Sequence, residues 1–180
     1  MNAEDLGIKA KSFVLMEAET GEILLSGNDD YYESPASVTK IMTLLLVCEA
    51  LRDGRYKLSD TVNVSEYASS MGGSQVFLKE GEKMTVEELL KCTVIASAND
   101  AAVALAEHIC GSEEAFVDKM NEKAQMLGMK NTHFENTNGL DDTTQNHVIS
   151  ARDIAIVSRE LIKHKKVIEY SSIWMDSIRN

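Results

Sequence analysis

The chain has 180 residues, enough for one domain or for one domain with a small lobe. With 44% hydrophobic and 26% charged residues, it has the composition of a globular protein rather than of a disordered or membrane-spanning one. Its formal charge is -11, from 29 acidic and 18 basic residues. This balance argues against a nucleic-acid-binding surface, because neutralising phosphates requires clustered basic residues.

The N-terminus has no signal-peptide pattern, since Met1–Asp5 lacks a basic segment followed by an apolar one. We therefore expect either a cytoplasmic protein or a mature secreted protein without its leader. The three cysteines are an odd number and have no C-x-x-C spacing. Cys48, Cys92 and Cys110 each lie in an apolar run of helical character, which predicts small buried thiols.

The first predicted element is a β-hairpin at residues 11–26. Two apolar runs, Phe13–Met16 and Ile23–Leu25, flank a turn at Glu19–Gly21. A polar loop then leads to Pro35, the only proline, which suits the start of a helix. A two-stranded hairpin is marginal alone in water, and no later segment has a confident strand pattern. Either helices cover the hairpin or its partner strands are missing; we favour the second explanation.

The remainder of the chain has a helical period. A buried helix is predicted from Ser37 to Gly54, and a second begins at Thr85, which has capping-box spacing to Glu88. Three more helices are predicted: after Asn99 as far as Gly111, after Ser112 as far as Gly128, and after Ser150. The predicted organisation is a hairpin with its following loop at 8–35, a mostly helical region at 36–165, and an incomplete tail at 166–180. The fold class is therefore α+β.

Ser37 and Lys40 form the first candidate for chemistry. Residues three apart share one face of a helix, so the Lys40 amine can reach the Ser37 hydroxyl. A lysine can activate a serine nucleophile if desolvation lowers its pKa towards neutrality. Free N–H groups and the dipole at a helix start also stabilise negative charge. The alternative is a capping serine beside a solvated lysine.

Ser97 and Asn99 form the second candidate. They lie between an apolar run and an alanine-rich helix, which predicts a buried corner between two helices. There a serine hydroxyl can relay a proton, and an asparagine amide can hold both a lysine and a substrate peptide. The alternative is that Asn99 only caps the following helix. A second S-x-N triplet, Ser26–Asn28, is interpreted as a turn.

The histidines and the paired aspartates do not predict a further site. His108, His133, His147 and His164 lack metal-ligand spacing, and none pairs convincingly with an acid as in a Ser-His-Asp triad. The adjacent acids at 141–142 are interpreted as a solvated turn. We therefore predict neither a metal nor a cofactor.

Several stretches, taken in order, resemble the penicillin-binding D-alanyl-D-alanine carboxypeptidases. The resemblance covers about residues 10 to 180, and its collinear order makes it specific. It is carried by Ser34–Thr43, Met71–Leu78, Ala96–Ala102, Leu127–Phe134, Asn136 with Gly139–Asp141, and Ser150–Asp153. The resemblance implies a penicillin-binding or β-lactamase-like transpeptidase fold, and it implies acyl transfer through a serine in two steps.

The resemblance also implies roles for individual residues. Ser37 would attack the carbonyl between two terminal D-alanines, with Lys40 as its base. Ser97 would pass the proton to the leaving amine, and Asn99 would hold Lys40 and the substrate backbone. The rim of the site would include Gly73 and Ser74, and the loop at its floor would include Gly139. Where the family often has histidine this chain has Asn138, which leaves a role for that side chain unsupported.

The family's third motif, K-T-G on a strand, does not occur in this sequence. In the family that strand recognises the substrate's terminal carboxylate and supplies an oxyanion-hole N–H. We therefore expect the N-terminal part of one carboxypeptidase domain, truncated before its later strands and inactive alone.

The implied partners are peptidoglycan stem peptides ending in D-Ala-D-Ala and β-lactam antibiotics, with no nucleic acid. The implied location is extracytoplasmic, on the cell-wall side of the membrane. Membrane association would come only through a C-terminal segment absent from these 180 residues. Self-association of the truncated chain is also expected, because its hairpin would lack partner strands.

Two alternatives remain. A class A-type β-lactamase shares S-x-x-K but needs a glutamate that activates the deacylating water, and Glu135 is the nearest candidate. A non-catalytic module could instead use the same fold to bind peptidoglycan or a partner protein. The presence of Ser37, Lys40, Ser97 and Asn99 together favours an enzyme.

Overall fold

The computed structural model describes residues 7–142 and 144–178. The described chain combines short strands with a helical body, which confirms the α+β class. Within these described ranges, six strands form three separate two-stranded antiparallel sheets. The strands are β1 Phe13–Met16, β2 Ile23–Gly27, β3 Tyr32–Glu33, β4 Thr61–Asn63, β5 Lys83–Thr85 and β6 Ile149–Ser150.

The predicted hairpin is the β1–β2 pair, with an irregularity between Leu15 and Met16. The sequence showed no confident strand pattern after the hairpin, yet β4 pairs with β5 and β6 pairs with β3. These later strands have only two or three residues, too few to show an alternating pattern in the sequence. They join segments that are distant along the chain, as in the pairing of Tyr32 with Ser150.

Helices make up most of the regular secondary structure in the described chain. They are α1 Lys40–Arg52, α2 Glu66–Ser69, α3 Val86–Ile95, α4 Asn99–Cys110, α5 Glu113–Met126, α6 Ala151–Leu161 and α7 Lys165–Ser171. The predicted capping box is present: Glu88 donates its N–H to Thr85 Oγ1 at 3.2 Å and accepts the Thr85 N–H at 2.7 Å. α7 lies at the start of the segment that was predicted as an incomplete tail at 166–180. None of the described helices is long and apolar enough to cross a membrane.

The helix predicted from Ser37 begins differently. Ala36–Thr39 forms a 3-10 turn, and α1 starts at Lys40. Ser37 therefore lies in the tighter turn rather than in the first turn of the α-helix. Because side chains three apart eclipse one another in a 3-10 helix, this geometry still brings Ser37 and Lys40 together.

α4 is the centre of the hydrophobic core. Its first eight residues, 99–106, are all buried, and it packs against α1, α3 and α5. Four of those eight are alanines, whose small side chains let neighbouring helices approach closely. Cys48 and Cys92 are buried as predicted, whereas Cys110 is only half-buried; all three are free thiols.

The hairpin is covered on one side only. α6 packs on β1, and Arg159 donates to the backbone carbonyls of Ala18 and Glu19. Leu15 and Leu24 remain 53% and 56% exposed, and within residues 7–142 and 144–178 no third strand joins this sheet. The incomplete sheet agrees with the expectation that its partner strands are missing.

Candidate active site

The amine of Lys40 lies between a serine hydroxyl and a backbone carbonyl. Its Nζ donates to Ser37 Oγ at 3.3 Å and to the carbonyl oxygen of Asn138 at 2.9 Å. Ser37 is exposed, whereas only 3% of Lys40 is exposed. The structure thus places an accessible hydroxyl directly over a buried amine.

Burial also changes the acidity of that amine. Desolvation lowers the pKa of Lys40 from 10.5 to about 8, because the charged form loses its hydration. Among the described residues, no carboxylate forms an ion pair with Lys40 that would restore the charged form. At mildly basic pH a substantial fraction of the amine is therefore neutral, which is what a general base requires.

The turn that carries Ser37 is packed tightly against Gly139. Ala36 has a left-handed backbone with φ of 48°, which is costly for a residue with a Cβ. Gly139 has φ of 84°, and a Cβ built on it would approach the Ala36 carbonyl oxygen to 1.7 Å. Only glycine therefore fits at position 139 next to the nucleophile's turn.

The loop that supplies the Asn138 carbonyl is held by its own side chains and by its neighbours. Asn136 accepts the N–H of Gly139 at 2.7 Å and donates to the carbonyl of Leu140 at 2.6 Å. Glu113 accepts both the N–H and the hydroxyl of Thr137, at 2.9 and 2.6 Å. These contacts fix the carbonyl that holds Lys40. Glu113 was not predicted, because it lies 24 residues from Thr137, at the start of another helix.

Asn99 faces the predicted rim rather than Lys40. Its Nδ2 donates to the carbonyl of Gly72 at 2.7 Å, and its backbone N–H donates to the carbonyl of Ser74 at 2.7 Å. α4 is capped by Ala98 without a side-chain bond, so Asn99 is not a helix cap. Within the described structure the expected bond between Asn99 and Lys40 is not formed. The buried Asn99 Oδ1 has no hydrogen-bond partner there.

The predicted rim is anchored to the start of α4. Gly73 lies so close to Asn99 that a Cβ on it would be 2.8 Å from Asn99 Nδ2. Asp100, which is fully buried, accepts the backbone N–H groups of Val76 and Leu78 at 3.0 to 3.2 Å. The role of Asp100 was not predicted, although an acid in the first turn of a buried helix is a recognisable signal.

Ser97 occupies the corner between α3 and α4, as predicted. Its φ is 53°, the left-handed region again, and its side chain is half-buried. Its hydroxyl makes no hydrogen bond with the rest of the described chain. A serine held in this strained backbone, with a free hydroxyl, is available to a ligand.

His147 is a further residue that the sequence did not single out. It is buried, and its Nε2 lies 2.7 Å from Thr39 Oγ1, 108 residues earlier in the chain. No local spacing of residues in the sequence could predict a contact over this distance. Over residues 7–142 and 144–178, no three histidine, cysteine or acidic side chains cluster as metal ligands would.

Solved structures similar to this chain include penicillin-binding proteins and D-alanyl-D-alanine carboxypeptidases. Penicillin-binding protein 6B from Escherichia coli is 41% identical with a TM-score of 0.83, over 87% of this chain and 50% of that one. The D-alanyl-D-alanine carboxypeptidase DacD from Francisella tularensis is 36% identical with a TM-score of 0.87, over 91% and 40%. Residues 1–179 match the D-alanyl-D-alanine carboxypeptidase family, and the chain belongs to that family.

A curated relative gives the same result. The D-alanyl-D-alanine carboxypeptidase DacF of Bacillus subtilis is 52% identical over 175 residues, which are 97% of this chain and 44% of that protein. DacD of Escherichia coli is 42% identical over 161 residues, 86% of this chain and 41% of that protein. The chain therefore spans less than half the length of these relatives.

Proposed function

We propose that these 180 residues are the N-terminal part of a serine-type D-alanyl-D-alanine carboxypeptidase that acts on peptidoglycan stem peptides. The observation that carries this proposal is the pair formed by exposed Ser37 and buried Lys40, 3.3 Å apart, with the pKa of Lys40 lowered to about 8. Family membership supplies the substrate class. Within that class, the site supports acyl transfer through a serine ester.

In the first step, neutral Lys40 accepts the proton of the Ser37 hydroxyl while Oγ attacks the carbonyl carbon between the two D-alanines. A tetrahedral oxyanion forms. The backbone N–H of Ser37 has no acceptor among the described residues, as is usual at the start of a helix, and it can donate to that oxyanion. The second oxyanion donor would come from the K-T-G strand, which this sequence lacks.

Collapse of the intermediate breaks the peptide bond and releases the terminal D-alanine. Its amine takes the proton back from Lys40, with the free hydroxyl of Ser97 as the relay. Water then attacks the ester on Ser37 while Lys40 accepts a proton from it. When the bond to Oγ breaks, Lys40 returns this proton to Ser37 and the shortened peptide leaves. β-Lactams would acylate the same hydroxyl, because their amide carbonyl meets the same nucleophile.

The rim would hold the substrate backbone. Asn99 already uses its Nδ2 on Gly72, whereas its buried Oδ1 lacks a partner. An unpaired buried acceptor is costly, so a substrate amide N–H that binds it would be favoured. Gly73 and Ser74 contact Asn99, and Gly139 packs against the turn that carries Ser37.

The proposed location of the complete protein is extracytoplasmic, where its peptidoglycan substrate lies. No observation favours a β-lactamase: Glu135 is exposed, and its carboxylate accepts the backbone N–H groups of Gln145 and Asn146. These bonds lower the pKa of Glu135, and they leave its carboxylate engaged with backbone N–H groups. Nor does any observation favour a binding module without turnover.

The test uses the complete protein that contains these residues. Fluorescent penicillin should label it once, and mass spectrometry should map the adduct to the peptide that contains Ser37. The protein should also release D-alanine from diacetyl-Lys-D-Ala-D-Ala. A Ser37→Ala variant should lose both activities while keeping its melting temperature.

If the Ser37→Ala variant is still labelled, the nucleophile is another residue. Labelling without release of D-alanine would favour a penicillin-binding module that does not turn over. Rapid and repeated hydrolysis of the β-lactam, in place of one stable adduct, would favour a β-lactamase.

A further inference from the structure

His147 connects two parts of the chain that are far apart in sequence. It is 4% exposed and lies in the interior. Its Nδ1 accepts the backbone N–H of Glu135 at 2.9 Å, and its Nε2 lies 2.7 Å from the hydroxyl oxygen of Thr39. The reaction proposed above does not use this ring.

The two contacts define which nitrogen carries the proton. A backbone N–H can only donate, so Nδ1 must offer a lone pair to Glu135. In a neutral imidazole the proton is then on Nε2, which donates to Thr39 Oγ1. Burial lowers the pKa of His147, which favours this neutral ring. The histidine is therefore a fixed donor to Thr39.

Thr39 occupies a decisive position. It is buried, it immediately precedes Lys40, and it belongs to the same 3-10 turn as Ser37. Its Oγ1 is 2.8 Å from the point that a Cβ on Gly139 would occupy. Gly139 follows Asn138, whose carbonyl binds the Lys40 amine. The Thr39 hydroxyl thus lies between the nucleophile's turn and the loop that holds the base.

We propose that His147 is a positioning residue, whose Nε2–H bond to Thr39 sets the Ser37–Lys40 turn at its correct distance from the Asn138 carbonyl. The inference rests on the proposed function, since it concerns the efficiency of serine acylation. The ring touches neither the substrate nor the reacting atoms. Its effect comes through geometry, because a displacement of about 1 Å at a reacting group can cost about 100-fold in rate.

Two variants of His147 separate its two bonds. In His147→Gln the side-chain amide reaches the place of Nε2 and can still donate to Thr39, but the acceptor for Glu135 is lost. In His147→Asn the amide oxygen replaces Nδ1, and the donor to Thr39 is lost. The acylation rate of the complete protein by fluorescent penicillin, together with the melting temperature, is measured for both variants.

We expect His147→Asn to acylate about tenfold more slowly than wild type, and His147→Gln to stay within about threefold. A merely structural histidine would instead slow both variants in proportion to their loss of melting temperature. Thr39 gives a second, independent pair of variants. Thr39→Val should acylate as slowly as His147→Asn, whereas Thr39→Ser should acylate at close to the wild-type rate. The double variant His147→Asn with Thr39→Val should be no slower than either single one.

Equal slowing of His147→Gln and His147→Asn overturns the proposal, as does a wild-type rate in His147→Asn or an additive loss in the double variant. The proposed function fails separately, when the wild-type protein itself is not acylated at Ser37.

Discussion

The amine of Lys40 is closer to the carbonyl oxygen of Asn138, at 2.9 Å, than to the hydroxyl oxygen of Ser37, at 3.3 Å. Lys40 is therefore held by a backbone carbonyl, and this hydrogen bond does not depend on which side chain is at position 138. The Asn138 side chain instead accepts the N–H of Leu140 at 2.8 Å and stiffens the loop. An asparagine where the family often has histidine is compatible with the same lysine geometry.

The rate of acylation should depend on pH through Lys40. Because burial lowers the pKa of Lys40 to about 8, the amine loses its proton as pH rises through that value, and the rate should rise with it. At pH 7 about a tenth of the molecules would hold a neutral amine. The measurement is the rate of labelling by fluorescent penicillin from pH 6 to pH 9.5.

Lys40→Arg is the matched variant for this profile. A guanidinium stays protonated across that range, so acylation should fall by at least about 100-fold and lose its rise near pH 8. A near wild-type rate in Lys40→Arg would place the base on another residue.

Gly139→Ala should disturb the nucleophile's turn. The added Cβ would collide with the carbonyl of Ala36, and the left-handed φ adds its own cost, so we expect a loss of roughly 3 kcal/mol or more. Gly128→Ala is the control, since φ at Gly128 is 74° with no atom within 4 Å of the new Cβ. It should lose only about 1 to 2 kcal/mol. Urea unfolding and the acylation rate together check this prediction, which equal losses in the two variants would contradict.

Gly73→Ala should affect the rim without touching the nucleophile. Its Cβ would lie 2.8 Å from Asn99 Nδ2, so the asparagine must give up its bond to Gly72 or the rim must move. We expect binding of diacetyl-Lys-D-Ala-D-Ala to weaken, with KM raised about tenfold and kcat changed less.

The control for Gly73→Ala is Gly81→Ala, which has a similar φ of 74° and open space around the new Cβ. It should keep a wild-type KM. A KM that rises equally in both variants would show that backbone strain, rather than contact with Asn99, is responsible.

The isolated chain of residues 1–180 should lack carboxypeptidase activity and should self-associate. One oxyanion donor of the expected pair is absent from this sequence, which alone costs about 10² to 10³ in rate. Leu15 and Leu24 are 53% and 56% exposed on an unpartnered two-stranded sheet, which invites strand pairing between chains. Size-exclusion chromatography and a D-alanine release assay measure the two halves of the prediction.

Leu24→Lys should reduce that association, because a charge on the hairpin opposes strand pairing. Met126→Lys is the control, since Met126 is 77% exposed on α5, away from the hairpin, and it should change nothing. A monomeric wild-type chain that releases D-alanine would contradict both halves of the prediction.

The sequence was most informative where a local period or cap decides the structure. The hairpin, the capping box at Thr85 and the helix ends at Gly111 and Gly128 were all predictable, because each depends on residues within one or two turns. The proximity of Ser37 and Lys40 was predictable for the same reason, although the turn that joins them is a 3-10 turn.

What could not be predicted depends on distant contacts. The carbonyl of Asn138, the ring of His147 and the carboxylate of Glu113 act on the site from 70 to 110 residues away in sequence, and no spacing encodes them. The short strands β3 and β6 were missed likewise, because each pairs only with a segment more than 100 residues distant.

The pairing of β3 with β6 has a consequence for folding. Tyr32 can meet Ser150 only after more than 110 further residues have been made, and contacts of such large separation form late because closing a long loop costs entropy. The Asn138 carbonyl reaches Lys40 across 98 residues in the same way. During synthesis the Ser37 hydroxyl would therefore remain without its organised base until the ribosome had passed residue 150.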